Sequence, residues 1–255
     1  MWLIIINTGK QNEFDFILAI NNKKVKQLHP ILSDLIHDIF ENIEDDMIIK
    51  SWLNQENQKA DIFIKINNQI RSISIKMGAM NSVHTENVYS LCNFFRICGI
   101  PKNIINSFLK YQFADGTNDN TGKIRMSAEE YKESNQKDLD EINNYFNNKK
   151  ILRKVVDRFI LKGLNSAYKI NALVYGTPND FFYLLPQDIY KILENNINDY
   201  CSAPHFSSLV CQSMNRCLKR NPKSERFRYY VQIKWYSLFE DIMRYENDKV
   251  SCKSE

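Results

Sequence analysis

Between Lys59 and Asn87 the chain reads KADIFIKINNQIRSISIKMGAMNSVHTEN, and several of its side chains could do phosphoryl chemistry together. Asp61 heads one run of alternating residues, Ser74 and Lys76 sit two apart in the next, and Glu86 follows ten residues later. Hydrolysis of a phosphodiester needs a divalent cation to neutralise charge on the phosphorus oxygens and to lower the pKa of an attacking water. Mg2+ takes one or two carboxylates, with water and substrate phosphate filling its octahedron. A lysine nearby can orient the water and add positive charge in the transition state. Asp61 and Glu86 are therefore candidate ligands, with the Ile75 carbonyl as a further one. Lys76 is the candidate that positions water, Ser74 supports the site, and His84 is an auxiliary. The same residues also have a structural reading, with Asp61 capping a turn, Ser74 and Lys76 on a solvated strand face and Glu86 in a first helical turn.

The elements that must position these groups follow from periodicity. Leu32, Leu35, Ile36, Ile39, Phe40 and Ile43 recur at helical spacing within 15–48, and His29-Pro30 suits a helix start. Ile62, Ile64 and Ile66 alternate, Asn67-Asn68-Gln69 signals a turn, and Ile73 and Ile75 alternate again, which predicts a β-hairpin. Side chains two apart on a strand share a face, so Ser74 and Lys76 point the same way. Ser82 can cap a helix over 83–98, ended by Gly99 and Pro101. The stretch 114–150 is polar and reads as a loop with one or two surface helices inserted into the fold. Residues 151–164 form an amphipathic helix, 171–175 and 181–185 a second hairpin, and Pro186 starts another helix. Strands at 208–214 and 229–235 and a helix over 237–245 close the chain. This predicts one α/β domain over 1–255, with a central mixed β-sheet flanked by helices.

Asp at the head of a strand, then a carboxylate-x-Lys thirteen to fifteen positions on, resembles the PD-(D/E)xK restriction-endonuclease-like nucleases. Here the pattern stands as Ala60-Asp61 followed by Ser74-Ile75-Lys76. It departs from the family at Ala60, where a proline is common, and at Ser74, which replaces the second carboxylate. Some members carry Ser-x-Lys and recruit a glutamate from the following helix, the role the resemblance gives Glu86. The family's first helix sometimes adds a carboxylate, for which Glu41 and Glu44 stand as auxiliaries. The resemblance covers 34–100 and implies a restriction-endonuclease-like core, Mg2+ (or Mn2+) as cofactor and endonucleolytic cleavage of double-stranded DNA in bacterial restriction or defence. Duplex cutting implies two sites and so a homodimer.

The segment LVCQSMNRCLKRNPKSERFRYYVQIKW interleaves basic, amide and aromatic residues. Arg and Lys neutralise phosphates, and Gln, Asn and Arg read base edges, so Gln212, Arg216, Arg226 and Lys234 are the nucleic-acid-binding candidates. A solvated loop between strands is the plainer alternative. A formal charge of +4 over 255 residues permits a polyanion partner without demanding one. With 44% hydrophobic and 12% aromatic residues, the chain can bury a large core. The six cysteines form no CxxC pair and read as reduced thiols, and His205 with Cys211 and Cys217 lacks a fourth zinc ligand. DGTNDNTG (115–122) lacks the spacing of a calcium loop. MWLIII is too short to span a bilayer, so a cytoplasmic protein with no membrane contact is expected. The competing expectation is a non-catalytic nucleic-acid-binding or protein-interaction module on the same fold.

Overall fold

The computed structural model describes residues 8–56, 59–79, 81–123, 125–164, 168–199, 201–214 and 225–251. The opening MWLIII and the basic stretch 215–224, which includes Arg216 and Cys217, lie outside the described residues. The chain divides into two compact units and passes between them four times, near 79, 159, 191 and 238.

The first unit begins with α1 (Thr8–Ile20) and α2 (Pro30–Ile39), followed by β1 (Ile49–Leu53), β2 (Ile62–Ile66) and β3 (Gln69–Lys76). Pro30 occupies the first turn of α2, where its missing N–H costs nothing. Asn67, at a φ of 51°, turns β2 back onto β3, with Ile62 opposite Ile73 and Phe63 opposite Ser72. In the second unit come β4 (Ser82–Asn87), α3 (Val88–Cys98), α4 (Lys102–Phe113), α5 (Ala128–Ser134), α6 (Gln136–Phe146) and α7 (Lys149–Val156). The chain then returns to the first unit for β5 (Ala172–Thr177) and β6 (Asp180–Leu184). Strand order is β1-β2-β3-β5-β6, antiparallel throughout except for the parallel β3/β5 pair. This is the mixed five-stranded sheet of an α/β fold, flanked by helices. Phe16 and Ile20 of α1 and Leu32, Leu35 and Ile36 of α2 bury one face of it against Ile49, Ile62, Ile64, Ile73 and Val174. The helix α8 (Pro186–Asn195) follows β6, and α9 (Leu238–Ser251) closes the described chain.

The second unit carries a separate antiparallel sheet, built from β4, β7 (His205–Phe206), β8 (Leu209–Ser213) and β9 (Tyr230–Trp235) in the order β4-β9-β8-β7. Its core includes Phe95, Phe108, Phe146 and Phe206, with the rings of Phe146 and Phe206 stacked 4.1 Å apart. The stretch 114–150 contains α5 and α6, which bury Tyr131, Leu139, Ile142 and Phe146, and Ser127 and Glu130 form a capping box at the start of α5.

Two expectations need correction. The helix predicted over 83–98 starts only at Val88; residues 82–87 are strand β4, drawn into extension by pairing with β9. Glu86 therefore sits on a strand and does not open a helix. The helix predicted over 151–164 is α-helical to Val156 and π-helical over Asp157–Lys162. Among the described residues, no helix is long and apolar enough to cross a membrane.

Candidate active site

Asp61 lies just before β2, and its backbone is fixed on both sides. Its N–H donates to the Ile73 carbonyl at 2.9 Å, and its carbonyl accepts from the Asn54 amide at 3.0 Å. That register places its side chain against Ser74. Asp61 Oδ2 accepts from the Ser74 hydroxyl at 2.9 Å and from the Ile75 N–H at 2.5 Å, and Lys76 Nζ lies 3.5 Å away. Lys76 Nζ also donates to the Ile75 carbonyl at 3.0 Å. These contacts all fall on Oδ2, so Asp61 Oδ1 takes no hydrogen bond among the described residues. The Lys76 and Asp61 side chains are 19% and 22% exposed, partly desolvated yet open to a solute.

A group not foreseen from the sequence joins them. Glu13, on α1, feels the charges of both Asp61 and Lys76. Burial and the like charge of Asp61 raise its pKa above the usual carboxylate range, against the pull of Lys76 and Lys10. α1 is tied to the sheet by the buried Asn12, whose amide donates to the Gly176 carbonyl at 2.8 Å. Lys59 is also unexpected: burial and then Lys76 push its ammonium down to about 7, with Asp61 opposing.

The other candidates go elsewhere. Glu41 and Glu44 follow α2 at the turn end of the hairpin, where Glu41 exchanges hydrogen bonds with Gln69. Gln69 is five residues from Ser74 along β3, a separation of about 17 Å, so neither glutamate belongs to the Asp61 cluster. Glu86 is a fully buried carboxylate of the second unit, held by Arg158 through Nε at 3.3 Å and Nη2 at 2.8 Å. His84 Nε2 lies 3.4 Å from it, and the His84 ring stacks on Phe159. Burial alone would raise the Glu86 pKa, but the His84 and Arg158 contacts outweigh it and hold the group below its ordinary value. Both Glu86 oxygens are thus engaged within the second unit.

The nucleic-acid candidates also lie in the second unit. Gln212 is exposed on β8 and accepts from the Tyr236 hydroxyl at 3.2 Å. Arg226 lies over the Phe227 ring. Lys234 is only 7% exposed, which suits it poorly to phosphate contact. His205 hydrogen-bonds Ala203 and Asn147, and burial pushes the Cys211 thiol up, so neither is disposed as a metal ligand. In the 115–122 loop, Asp115 Oδ1 accepts from the Thr117 N–H and hydroxyl, an arrangement that shapes a turn.

No protein-family model matches the sequence, and no curated protein does either. Among solved structures, the chain is similar to the restriction endonuclease MspI in complex with its cognate DNA. That match has a TM-score of 0.52 at 15% identity and covers 87% of each chain. The fold is restriction-endonuclease-like.

On this restriction-endonuclease-like core, the donor set fits a hard divalent cation. Asp61 keeps one carboxylate oxygen uncommitted, the Ile75 carbonyl has a lone pair beyond the one Lys76 uses, and the Glu13 carboxylate stands within electrostatic reach of Asp61. Carboxylate and carbonyl oxygens suit Mg2+ or Mn2+, which take their remaining ligands from water and phosphate. Among the described residues, no group of three or more His, Cys, Asp or Glu side chains could hold a metal. Any ion here would therefore rely heavily on substrate oxygens.

Proposed function

We propose that the chain is a metal-dependent endonuclease that hydrolyses DNA phosphodiester bonds, a bacterial restriction or defence enzyme working in the cytoplasm. The observation that carries this reading is the convergence of Asp61, Ser74, Ile75 and Lys76 on one carboxylate oxygen, with Glu13 in electrostatic reach, on a restriction-endonuclease-like sheet. Mg2+ or Mn2+, when bound, supplies charge neutralisation at the phosphate and a more acidic water. Asp61 and Glu13 would hold the ion, in place of the Asp61 and Glu86 pair read from the sequence. Ser74 and the Ile75 N–H hold the Asp61 carboxylate in place by donating to its Oδ2. Lys76 faces the reacting phosphate, orients the attacking water and opposes the charge that develops in the transition state. Gln212 and Arg226 are the residues best exposed to contact the duplex. Cutting both strands calls for two copies of this site, and hence a homodimer.

A second reading, nucleic-acid binding without cleavage, draws on Ser74, which stands where a carboxylate would strengthen the metal site. The deciding experiment is a cleavage assay with Mg2+ and Mn2+ on duplex DNA, single-stranded DNA and RNA, run beside Lys76→Ala. Metal-dependent cleavage lost in the variant supports the enzyme. Equal activity in the variant sinks the mechanism, and binding without any cleavage favours the second reading.

A further inference from the structure

The sheet face that carries Asp61, Ser74 and Lys76 holds a second row of side chains one pleat away. Trp52, Phe63 and Ser72 stand opposite one another across β1, β2 and β3. Asn171 extends the row: its N–H donates to the Ser72 carbonyl, and its Oδ1 accepts from the Ser72 N–H at 2.9 Å. Asp61 and Phe63 are two residues apart, so they share a face about 7 Å apart along the strand. The rings of Trp52 and Phe63 stack with centroids 5.8 Å apart and planes 25° from parallel. Together with Phe14 and Tyr168 they line a cavity of about 1010 Å3 in the first unit. Trp52 is 41% exposed and Tyr168 74% exposed. Large aromatic rings gathered in one exposed concavity mark a recognition site more often than idle surface.

The polar groups in this cavity narrow the choice of occupant. The Arg71 guanidinium is spent on the Ile39 and Ile70 carbonyls and the Gln69 side chain. Asn171 Nδ2 and the Gln55 amide carry no hydrogen bond to the described residues. Glu56 and Lys169 also line the cavity, the Lys169 ammonium donating to the Tyr190 hydroxyl at 3.4 Å. Flat aromatic faces and uncommitted amides thus stand beside these charged groups, and Lys76, next to Asp61, lies on the adjoining row. That division matches a nucleotide, with the base on the rings and its phosphate at Asp61 and Lys76.

We propose that this cavity is a nucleobase subsite, which takes one unpaired base from the nucleotide beside the scissile phosphate and stacks it on Trp52. The proposal rests on the nuclease reading for the position of the phosphate. A base inside a duplex cannot reach such a cavity without leaving its stack, and a mismatched or single-stranded base pays least to do so. The subsite therefore favours substrates with an unpaired base at the cut.

The test measures binding of labelled duplexes by fluorescence anisotropy, using the full chain in EDTA so that nothing is cut. One duplex is fully paired and the other carries a single mismatch. The mismatched duplex is expected to bind more tightly. Trp52→Ala should weaken its binding about 5- to 160-fold, as loss of one base–aromatic stack does, with little effect on the paired duplex. Trp52→Phe, which keeps a ring, should restore most of the preference and shows that the Ala variant has not simply misfolded. An unchanged mismatch preference in a Trp52→Ala protein of parental circular dichroism overturns the proposal. So does a Trp52→Ala variant that changes from dimer to monomer in sedimentation while binding both duplexes normally, because the face then joins two copies of the chain. The cleavage assay separates the two claims. Lys76-dependent cleavage without a Trp52 effect removes the subsite alone, and a Trp52-dependent preference without cleavage removes the nuclease reading alone.

Discussion

Removing the Arg158 guanidinium tests whether Glu86 serves the fold or a metal. Glu86 is fully buried at its carboxylate, and Arg158 supplies two of its hydrogen bonds while lying 4.6 Å over the Phe94 ring. Arg158→Met keeps an apolar stem against Phe94 but leaves the buried carboxylate with His84 and Ser90 alone. Breaking a buried ion pair from one side costs about 3–5 kcal/mol, and the remaining partners put this case near about 3 kcal/mol. With a urea dependence of about 3 kcal/mol per molar for a chain of this size, the unfolding midpoint should fall by about 1 M at pH 7. The pH dependence follows from the direction of the Glu86 shift. Its folded pKa lies below the ordinary 4.5, so its stabilisation is present above 4.5 and is lost as pH falls through the folded value. The gap between parent and variant should therefore close on acidification below 4.5. Glu86→Gln in the Arg158→Met background should recover part of the loss, because no unpaired charge remains. Equal midpoints at pH 7, or a gap that persists in acid, would refute the structural assignment of Glu86.

Further outcomes are expected at five other positions. Lys76→Ala should lower the rate of metal-dependent cleavage by at least about 100-fold in a single-turnover assay, and Lys76→Arg should not restore it. Glu13→Gln should raise the Mg2+ concentration giving half-maximal cleavage by at least about tenfold, since even groups one shell removed from a metal have effects of that size. Glu86→Gln should leave that concentration unchanged. Ser74→Asp puts a second carboxylate against Asp61; two carboxylates about 3 Å apart cannot both ionise readily, so the acid limb of the pH–rate profile should move to higher pH. Phe146→Ala, which empties one side of the Phe146–Phe206 stack, should cost about 3–5 kcal/mol in denaturant unfolding.

The parts of the fold legible in the sequence are those where local pattern and tertiary need coincide. The β2–β3 hairpin announces itself because Ile62, Ile64, Ile66, Ile73 and Ile75 alternate onto one buried face. The β5–β6 hairpin is as clear, with Gly176 at a φ of 132° in a place where a Cβ would meet the Asp180 carbonyl at 2.4 Å. Strand β4 is the opposite case. SVHTEN has little apolar alternation, and its extension comes from pairing with Tyr230–Lys234, nearly 150 residues later in the chain. A preceding Ser and a following apolar run make that stretch look like a capped helix, and long-range pairing overrides the local signal. Glu13 was hidden for a related reason. Phe14 and Leu18 of α1 are exposed beside the buried Phe16 and Ile17, so the helix shows no clean polar face from which a glutamate could be singled out. Its link to Asp61 spans 48 residues and leaves no trace in local spacing.

Ser74 gains its meaning from these two corrections. With Glu86 as the second ligand, a serine at this position stands as a missing carboxylate that a later residue replaces. With Glu13 on α1, Asp61 already has a second acidic group within electrostatic reach, and burial together with their mutual repulsion raises the Glu13 pKa. A third carboxylate at position 74 would stand within hydrogen-bonding range of Asp61, adding a like charge where the site can least hold one. A hydroxyl there donates to Asp61 Oδ2 and adds no charge, leaving Oδ1 uncommitted. Lys76 can then remain near Asp61 without being locked onto it, at 3.5 Å, with its other contact on the Ile75 carbonyl. The serine thus fixes the Asp61 carboxylate without adding a charge, with Glu13 on the helix within electrostatic reach.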